Sequence, residues 1–211
     1  MARNIDPVCK MCRREGVKLY LKGARCDSPK CALDRRKSAP GMHGAKRTKP
    51  SEYGLRLREK QKLKRFYGLL EAQFRRVFQI ATRSPANTGE VLLSLMERRL
   101  DNVVFRLGFC GSRRMARQFV SHGHVQVNGR TVNIPSYITR AGDTITVRNR
   151  ATSRGLAKLM LQNNTGKPPD FLERVSVDPP EGRVLRLPSR DDVDPNIRNI
   201  NEQLIIEISA R

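Results

Sequence analysis

The apolar residues of this chain change period several times, and each change marks an element. Within residues 98–147 the sequence reads RRLDNVVFRLGFCGSRRMARQFVSHGHVQVNGRTVNIPSYITRAGDTITV. Leu100, Val103, Val104 and Leu107 recur at helical spacing, so a helix is predicted over 100–107, ended by Gly108, which can take the left-handed conformation. Ser112 is placed to cap a second helix that Gly123 closes. Its Arg113, Arg114 and Arg117 fall on one face, and Met115, Ala116, Phe119 and Val120 on the other. The period then shortens to two over 124–127, Asn128-Gly129 signals a hairpin, 131–134 forms the return strand, and Ala141-Gly142-Asp143 introduces a further strand over 144–147. A small unit results, with an arginine face that its own core does not need.

Upstream, Ser51 opens a helix that runs to Tyr67 and closes at Gly68. Phe74, Val77, Phe78 and Ala81 form the stripe of a helix over 71–82, and Val91, Leu92, Leu95 and Met96 that of a third, enough for a bundle. Downstream, Ser153 is expected to cap a short helix carrying Leu156, Leu159 and Met160, followed by a loop over 163–169. Strands are expected over 175–177 and 184–187 around Pro179-Pro180-Glu181-Gly182. Leu204, Ile205, Ile206 and Ile208 suit either a helix or a strand.

Charge changes the picture most. Among 211 residues, 42 Lys and Arg face 20 Asp and Glu, a formal net charge of +22. Such a chain repels itself unless it binds something anionic, and cations spread over helices and loops match a phosphate lattice. A membrane surface fits less well, since there is no bilayer-spanning apolar run and no basic helix with a continuous apolar face. The N-terminal MARNIDPVCK lacks the apolar core of a signal peptide, so a cytosolic location is expected, where disulfides are disfavoured.

Candidate chemistry begins with Cys9-x2-Cys12 and Cys26-x4-Cys31, two thiol pairs spaced as in tetrahedral zinc sites. One zinc ion per chain is expected there, clipping a basic segment too poor in apolar residues to fold alone; disulfides and free thiols are the alternatives. Cys110 reads as an isolated small thiol, and His43 as a turn histidine without a catalytic companion. Candidate phosphate contacts are Arg13, Arg14, Arg35 and Arg36 of the cysteine segment, and Lys46 and Arg47 of the Pro/Gly-rich linker. Arg56, Arg58, Lys60, Lys62, Lys64 and Arg65 follow on the first long helix, with only Glu52 and Glu59 beside them. The last group is Arg113, Arg114 and Arg117, with His122, His124, Asn128 and Arg130 nearby. Asp191, Asp192 and Asp194 lack the glycine and distal glutamate of a calcium loop and read as turn formers. No triad and no phosphate-cradling glycine loop is present, so no catalytic residue is assigned.

The motifs RLDNVVFRLGF and SRRMARQFVSHGHVQVNGRTVNIPSY resemble the RNA-binding module named after small-subunit ribosomal protein four, which several unrelated RNA enzymes also carry. With PVCKMCRREGVKLYLKGARC, PGMHG, RLREKQKLKRFYG, RVLRLPSRDD and NEQLIIE in order, the whole chain resembles the four-cysteine bacterial form of that ribosomal family. It departs from the family pattern at Met42, at Cys110-Gly111 and in its last four residues. The resemblance implies an α+β fold: a cysteine segment over 1–47, a helical domain over 48–97 with 190–211, and an inserted module of short helices on a small, largely antiparallel sheet over 98–189, with its core at 98–150. It implies a cytoplasmic, ribosomal protein that binds small-subunit ribosomal RNA at a multi-helix junction, nucleates assembly of the body and influences decoding accuracy. Small-subunit protein five and messenger RNA are its implied neighbours. The competing expectations are an RNA-modifying enzyme or RNA regulator that borrows the module, and a zinc-dependent DNA regulator.

Overall fold

The computed structural model describes residues 4–44, 49–163 and 166–210. Its elements follow in the order α1 Val8–Glu15, α2 Ala32–Arg35, α3 Glu52–Phe66, α4 Glu71–Thr82, α5 Thr88–Glu97, α6 Leu100–Arg106, α7 Arg113–Ser121, β1 Val125–Val127, β2 Arg130–Thr131, β3 Thr144–Val147, α8 Ala151–Asn163, β4 Leu172–Val177, β5 Pro180–Val184 and α9 Glu202–Ser209. The chain divides into two compact units, 1–92 with 194–211, and 93–193. The cysteine segment belongs to the first unit and has its own apolar anchors in Val8, Met11, Leu19 and Leu21, all buried.

In the first unit the hydroxyl of Ser51 accepts from the backbone N–H of Gly54 at 3.2 Å and so caps α3. Leu63 and Phe66 are the buried residues of α3, and the α4 stripe of Phe74, Val77, Phe78 and Ala81 is buried as its spacing predicts. The ambiguous C-terminal segment is helical. Asn201 decides this by accepting from the N–H groups of Gln203 and Leu204 at 3.0 and 3.3 Å, a local cap that a strand would not use. Helix α9 packs along α3. Near its start, a Cβ on Gly89 would lie 3.0 Å from Cβ of Glu202, so glycine is what lets α5 approach α9.

In the second unit α6 buries Leu100, Val103 and Val104, with Leu107 buried just beyond, and Gly108 ends it at φ 85°. The Ser112 hydroxyl accepts from the N–H of Met115 at 3.2 Å, capping α7. Asn128 and Gly129 take φ 50° and 78° and turn the chain from β1 into β2, which is only two residues long, shorter than expected. The sheet runs β2-β1-β3-β5-β4, antiparallel at every pair. Val125, Val127, Ile145, Val147 and Val184 point into a core shared with α6 and α7. A Cβ on Gly182 would meet Leu107 at 2.6 Å, so β5 lies directly on the end of α6.

Two expectations fail here. The turn before β5 is Asp178-Pro179, so the strand begins at Pro180, and Leu185 and Leu187 lie beyond it, each 50% exposed. Helix α8 starts at Ala151, and Ser153 is a buried partner of His124 rather than a cap. The helix buries Ser153, Ala157 and Leu161, which leaves Leu156 and Leu159 outward, because the stripe in contact is one position off the larger apolar side chains. The aspartates do form turns. Asp192 accepts from Ser189 and pairs with Arg186, and Asp194 accepts from the N–H of Asn196.

Cys110 is buried in the core, and burial pushes its thiol up to about 12. Beside that core lies a buried polar network. Arg99, 1% exposed, donates to both carboxylate oxygens of Asp101 at 3.1 and 2.7 Å. Asn102 donates to the Glu97 carboxylate at 2.7 Å and accepts from Nε of Arg113 at 2.8 Å. Removing one member of a buried pair strands the other charge without water. Asp101→Ala is therefore expected to cost about 3–5 kcal/mol of unfolding free energy. Urea denaturation of the variant measures this, and a loss below about 1 kcal/mol would mean that water replaces the carboxylate.

Candidate nucleic-acid interface

The four cysteines of the N-terminal segment come together. Cys9, Cys12, Cys26 and Cys31 line one small cavity of about 20 Å³ with Val8, Leu21 and Leu33. Helix α1 brings Cys9 and Cys12, the turn after Gly23 brings Cys26, and Cys31 stands at the start of α2. All four are free thiols. Burial raises the Cys12 thiol, opposed by a hydrogen bond with the Leu19 backbone and reinforced by the charges that Cys26, Cys9 and Cys31 would carry. Burial likewise raises Cys26. Among the described residues no three His, Cys, Asp or Glu side chains stand in an arrangement that holds a metal ion.

Around this cavity Arg14, Arg35 and Arg36 are exposed to solvent. Arg13 is not free in the same way: its guanidinium donates to the carbonyls of Ser38 and Ala39 at 2.9 and 3.3 Å and ties the following linker to α1. Lys46 and Arg47 lie outside the described residues.

The cations of α3 require a correction. Glu52 and Glu59 are joined by three carboxylates from elsewhere, so every one of the six is paired. Arg56 meets Glu52 and Glu207, Arg58 and Arg65 meet Glu15, Lys60 and Lys64 meet Glu71, and Lys62 meets Glu59. Glu15 is the deepest of these acids, its side chain 0% exposed; burial raises its carboxyl, and Arg65 and then Arg58 draw it back down. The helix is thus a hub that fastens α1, α4 and α9, with much less unmatched charge than its sequence suggests.

The arginine face of α7 also divides. Arg113 and Arg117 are each only 8% exposed. Arg113 bonds Asn102 and sits 4.5 Å above the Phe105 ring, and Arg117 pairs with Asp101 at 3.5 Å. Their face is turned to α6, whose own polar residues are buried, so a spacing that looked like a solvent face is an interior one. Arg114 remains exposed, with Gln118. Asn128 is spent locally: its amide donates to Asp143 and its carbonyl accepts from the Thr144 N–H, both at 2.9 Å, which leaves it a turn residue. Arg130 is exposed on β2.

His122 and His124 lie with ring centroids 6.0 Å apart, His122 exposed and His124 half-buried. Burial lowers the His124 imidazole below its ordinary value, helped by His122, Arg150 and Arg148. Arg148 and Arg150 were not singled out from the sequence. Their only signal is the Arg-Asn-Arg run that follows β3. Elsewhere in the same unit, Arg98 donates to the Thr139 carbonyl at 2.9 Å, and burial and the nearby Arg140 lower its guanidinium.

No helix of the described residues is long and apolar enough to cross a membrane. What the arrangement offers is cationic surface on both units, with many of the carboxylates engaged as structural partners of cations within each unit. Residues 3–97 match the family described as Ribosomal protein S4/S9 N-terminal domain, and residues 98–145 match the S4 domain. The chain is 53% identical to Small ribosomal subunit protein uS4A of Symbiobacterium thermophilum, 54% identical to uS4 of Pelotomaculum thermopropionicum and 52% identical to uS4 of Thermus thermophilus, in each case over the full length of both chains. With two family matches laid end to end over 3–145 and relatives that align throughout, this chain belongs to the bacterial uS4 family of small ribosomal subunit proteins.

Proposed function

We propose that the chain is a structural constituent of the small ribosomal subunit, working in the cytoplasm as a binder of small-subunit ribosomal RNA and not as an enzyme. One observation carries this reading: the carboxylates are largely consumed by internal pairs, as in α3, while the net charge of +22 remains to be matched by an external polyanion. Arg14, Arg35 and Arg36 on the first unit, and Arg114, Arg130, Arg148 and Arg150 on the second, are its phosphate contacts. Guanidinium and ammonium groups recognise folded RNA chiefly through phosphates and 2′-hydroxyls, so junction shape supplies most of the specificity. Binding at a multi-helix junction would let the chain nucleate assembly of the body and influence decoding accuracy. Small-subunit protein five and the incoming messenger RNA are its proposed neighbours.

The four-cysteine cavity takes one zinc ion in this reading. What supports it is the donor set: four thiols without disulfides, paired in sequence as in tetrahedral zinc sites, line one small cavity, although they do not stand in a metal-holding arrangement in this structure. Bound zinc would hold α1, the Cys26 turn and α2 together as a structural clip.

Two measurements test these statements. RNA affinity, measured by filter binding to small-subunit ribosomal RNA, should fall about a thousandfold or more between roughly 50 and 200 mM salt if about six to ten phosphates are contacted; a flat response would overturn the phosphate-based mechanism. Elemental analysis of protein purified under reducing conditions should give about one zinc per chain, released by a thiol-reactive mercurial with loss of order confined to the cysteine segment. Metal-free protein of unchanged order would remove the clip.

A further inference from the structure

The second unit contains a niche that phosphate contact leaves unused. Met115, Gln118, Phe119, His122, His124 and Leu156 line a cavity of about 230 Å³ between α7, the start of the hairpin and α8. This lies below the roughly 300–1,000 Å³ typical of drug-sized ligands and suits a single ring system. Its walls are aromatic and apolar except for Gln118 and the ring nitrogens of His122 and His124. Phe119 and His124 are tilted by 31° with centroids 4.8 Å apart, and His122 and Leu156 are exposed at the edge. The His124 ring is held in place, since its Nδ1 lies 2.9 Å from the hydroxyl of Ser153, itself 2% exposed. The exposed carboxamide of Gln118 brings one donor pair and one acceptor to the edge, the groups that read a base edge.

The charge around the niche identifies its occupant. An apolar protein side chain would gain nothing from cations, yet Arg148 is tied beside His124, its backbone N–H donating to the His124 carbonyl at 2.8 Å, and Arg150 follows, its N–H donating to the Arg148 carbonyl at 2.7 Å. Burial, then His122, Arg150 and Arg148, lower the His124 imidazole below its ordinary value, which favours the uncharged ring. A planar apolar surface with positive charge beside it matches a nucleotide: a base with a π-face, joined to a phosphate. We propose that this niche receives one unstacked nucleobase of the bound RNA, stacked against the His122, His124 and Phe119 group, with its phosphate drawn by Arg148 and Arg150. The inference rests on the RNA-binding reading and adds to it a base contact within a mainly shape-based interface.

The test uses the full chain and small probes. Adenosine, guanosine, cytidine and uridine 5′-monophosphates are titrated while NMR follows the imidazole Cε1–H signals of His122 and His124 and the methyl of Met115, with His43 as an internal reference. At least one nucleotide should shift these signals saturably, and ribose 5-phosphate, which lacks the base, should not. His122→Ala should weaken that nucleotide roughly five- to a hundredfold, the range of a lost base–aromatic stack, with the unfolding midpoint unchanged. Equal shifts from ribose 5-phosphate would reduce the niche to an anion site, and unmoved signals with all four nucleotides would empty it; either overturns the proposal. Binding of the unsubstituted chain to small-subunit ribosomal RNA is measured in parallel. If it persists while the nucleotides have no effect, the niche alone fails, and if it too is absent, the RNA-binding reading fails with it.

Discussion

Glu97 and Asp101 carry two carboxylates into the interior of the second unit, 0% and 4% exposed, and the arrangement of α6 and α7 depends on their being matched there. Water cannot reach them, so the matching groups must come from the protein: Arg99 and Arg117 at Asp101, and Asn102 with Arg106 at Glu97. Asn102 then passes the network on to Arg113, which fixes α7 against α6 through a directional bond. The same corner anchors the loop before β3. The N–H groups of Leu100 and Asp101 donate to the carbonyls of Tyr137 and Pro135, and the Thr139 N–H donates to Arg98. Apolar burial alone would let the helices slide; charged hydrogen bonds that cost several kcal/mol to leave unmade select one register.

The first unit solves a related problem around α3, where Glu15 is buried and the cations are partly exposed. The six cations of α3 face five carboxylates drawn from α1, α4, α9 and α3 itself. Pairs that are partly exposed contribute little each, so their value here is less in stability than in lowering the self-repulsion of a strongly basic chain. The consequence is a division of labour among like charges. Arginines and lysines inside the pairing scheme organise the fold, and those outside it, around the cysteine cavity and near His124, are available to a polyanion.

Local signals were legible in the sequence. The caps at Ser51 and Ser112, the α4 stripe and the Asn128-Gly129 turn each depend on neighbours a few residues away, and the structure realises them as read. What was not legible depended on a distant partner. Spacing placed Arg113 and Arg117 on one face of α7 but could not say that this face meets Asp101 and Asn102, a polar surface that is itself buried. Charge counting along α3 missed Glu15, Glu71 and Glu207 because the nearest in sequence to its partner is seven residues away and the farthest 151. Helix α8 shows the same limit for apolar residues: Leu156 and Leu159 looked like core, yet small Ser153 and Ala157 face inward.

The packing of α9 along α3 has a consequence for how the chain is made. Arg56 and Glu207 are separated by 151 residues, and between the two segments of the first unit lies the whole second unit. At equilibrium this long detour costs little, because loop-closure entropy grows only with the logarithm of length, about 0.6 kcal/mol per doubling. In time the cost is larger. A chain emerging from its N-terminus must finish every residue of the second unit before α9 exists to cover α3, so the part that begins synthesis is the last to be completed.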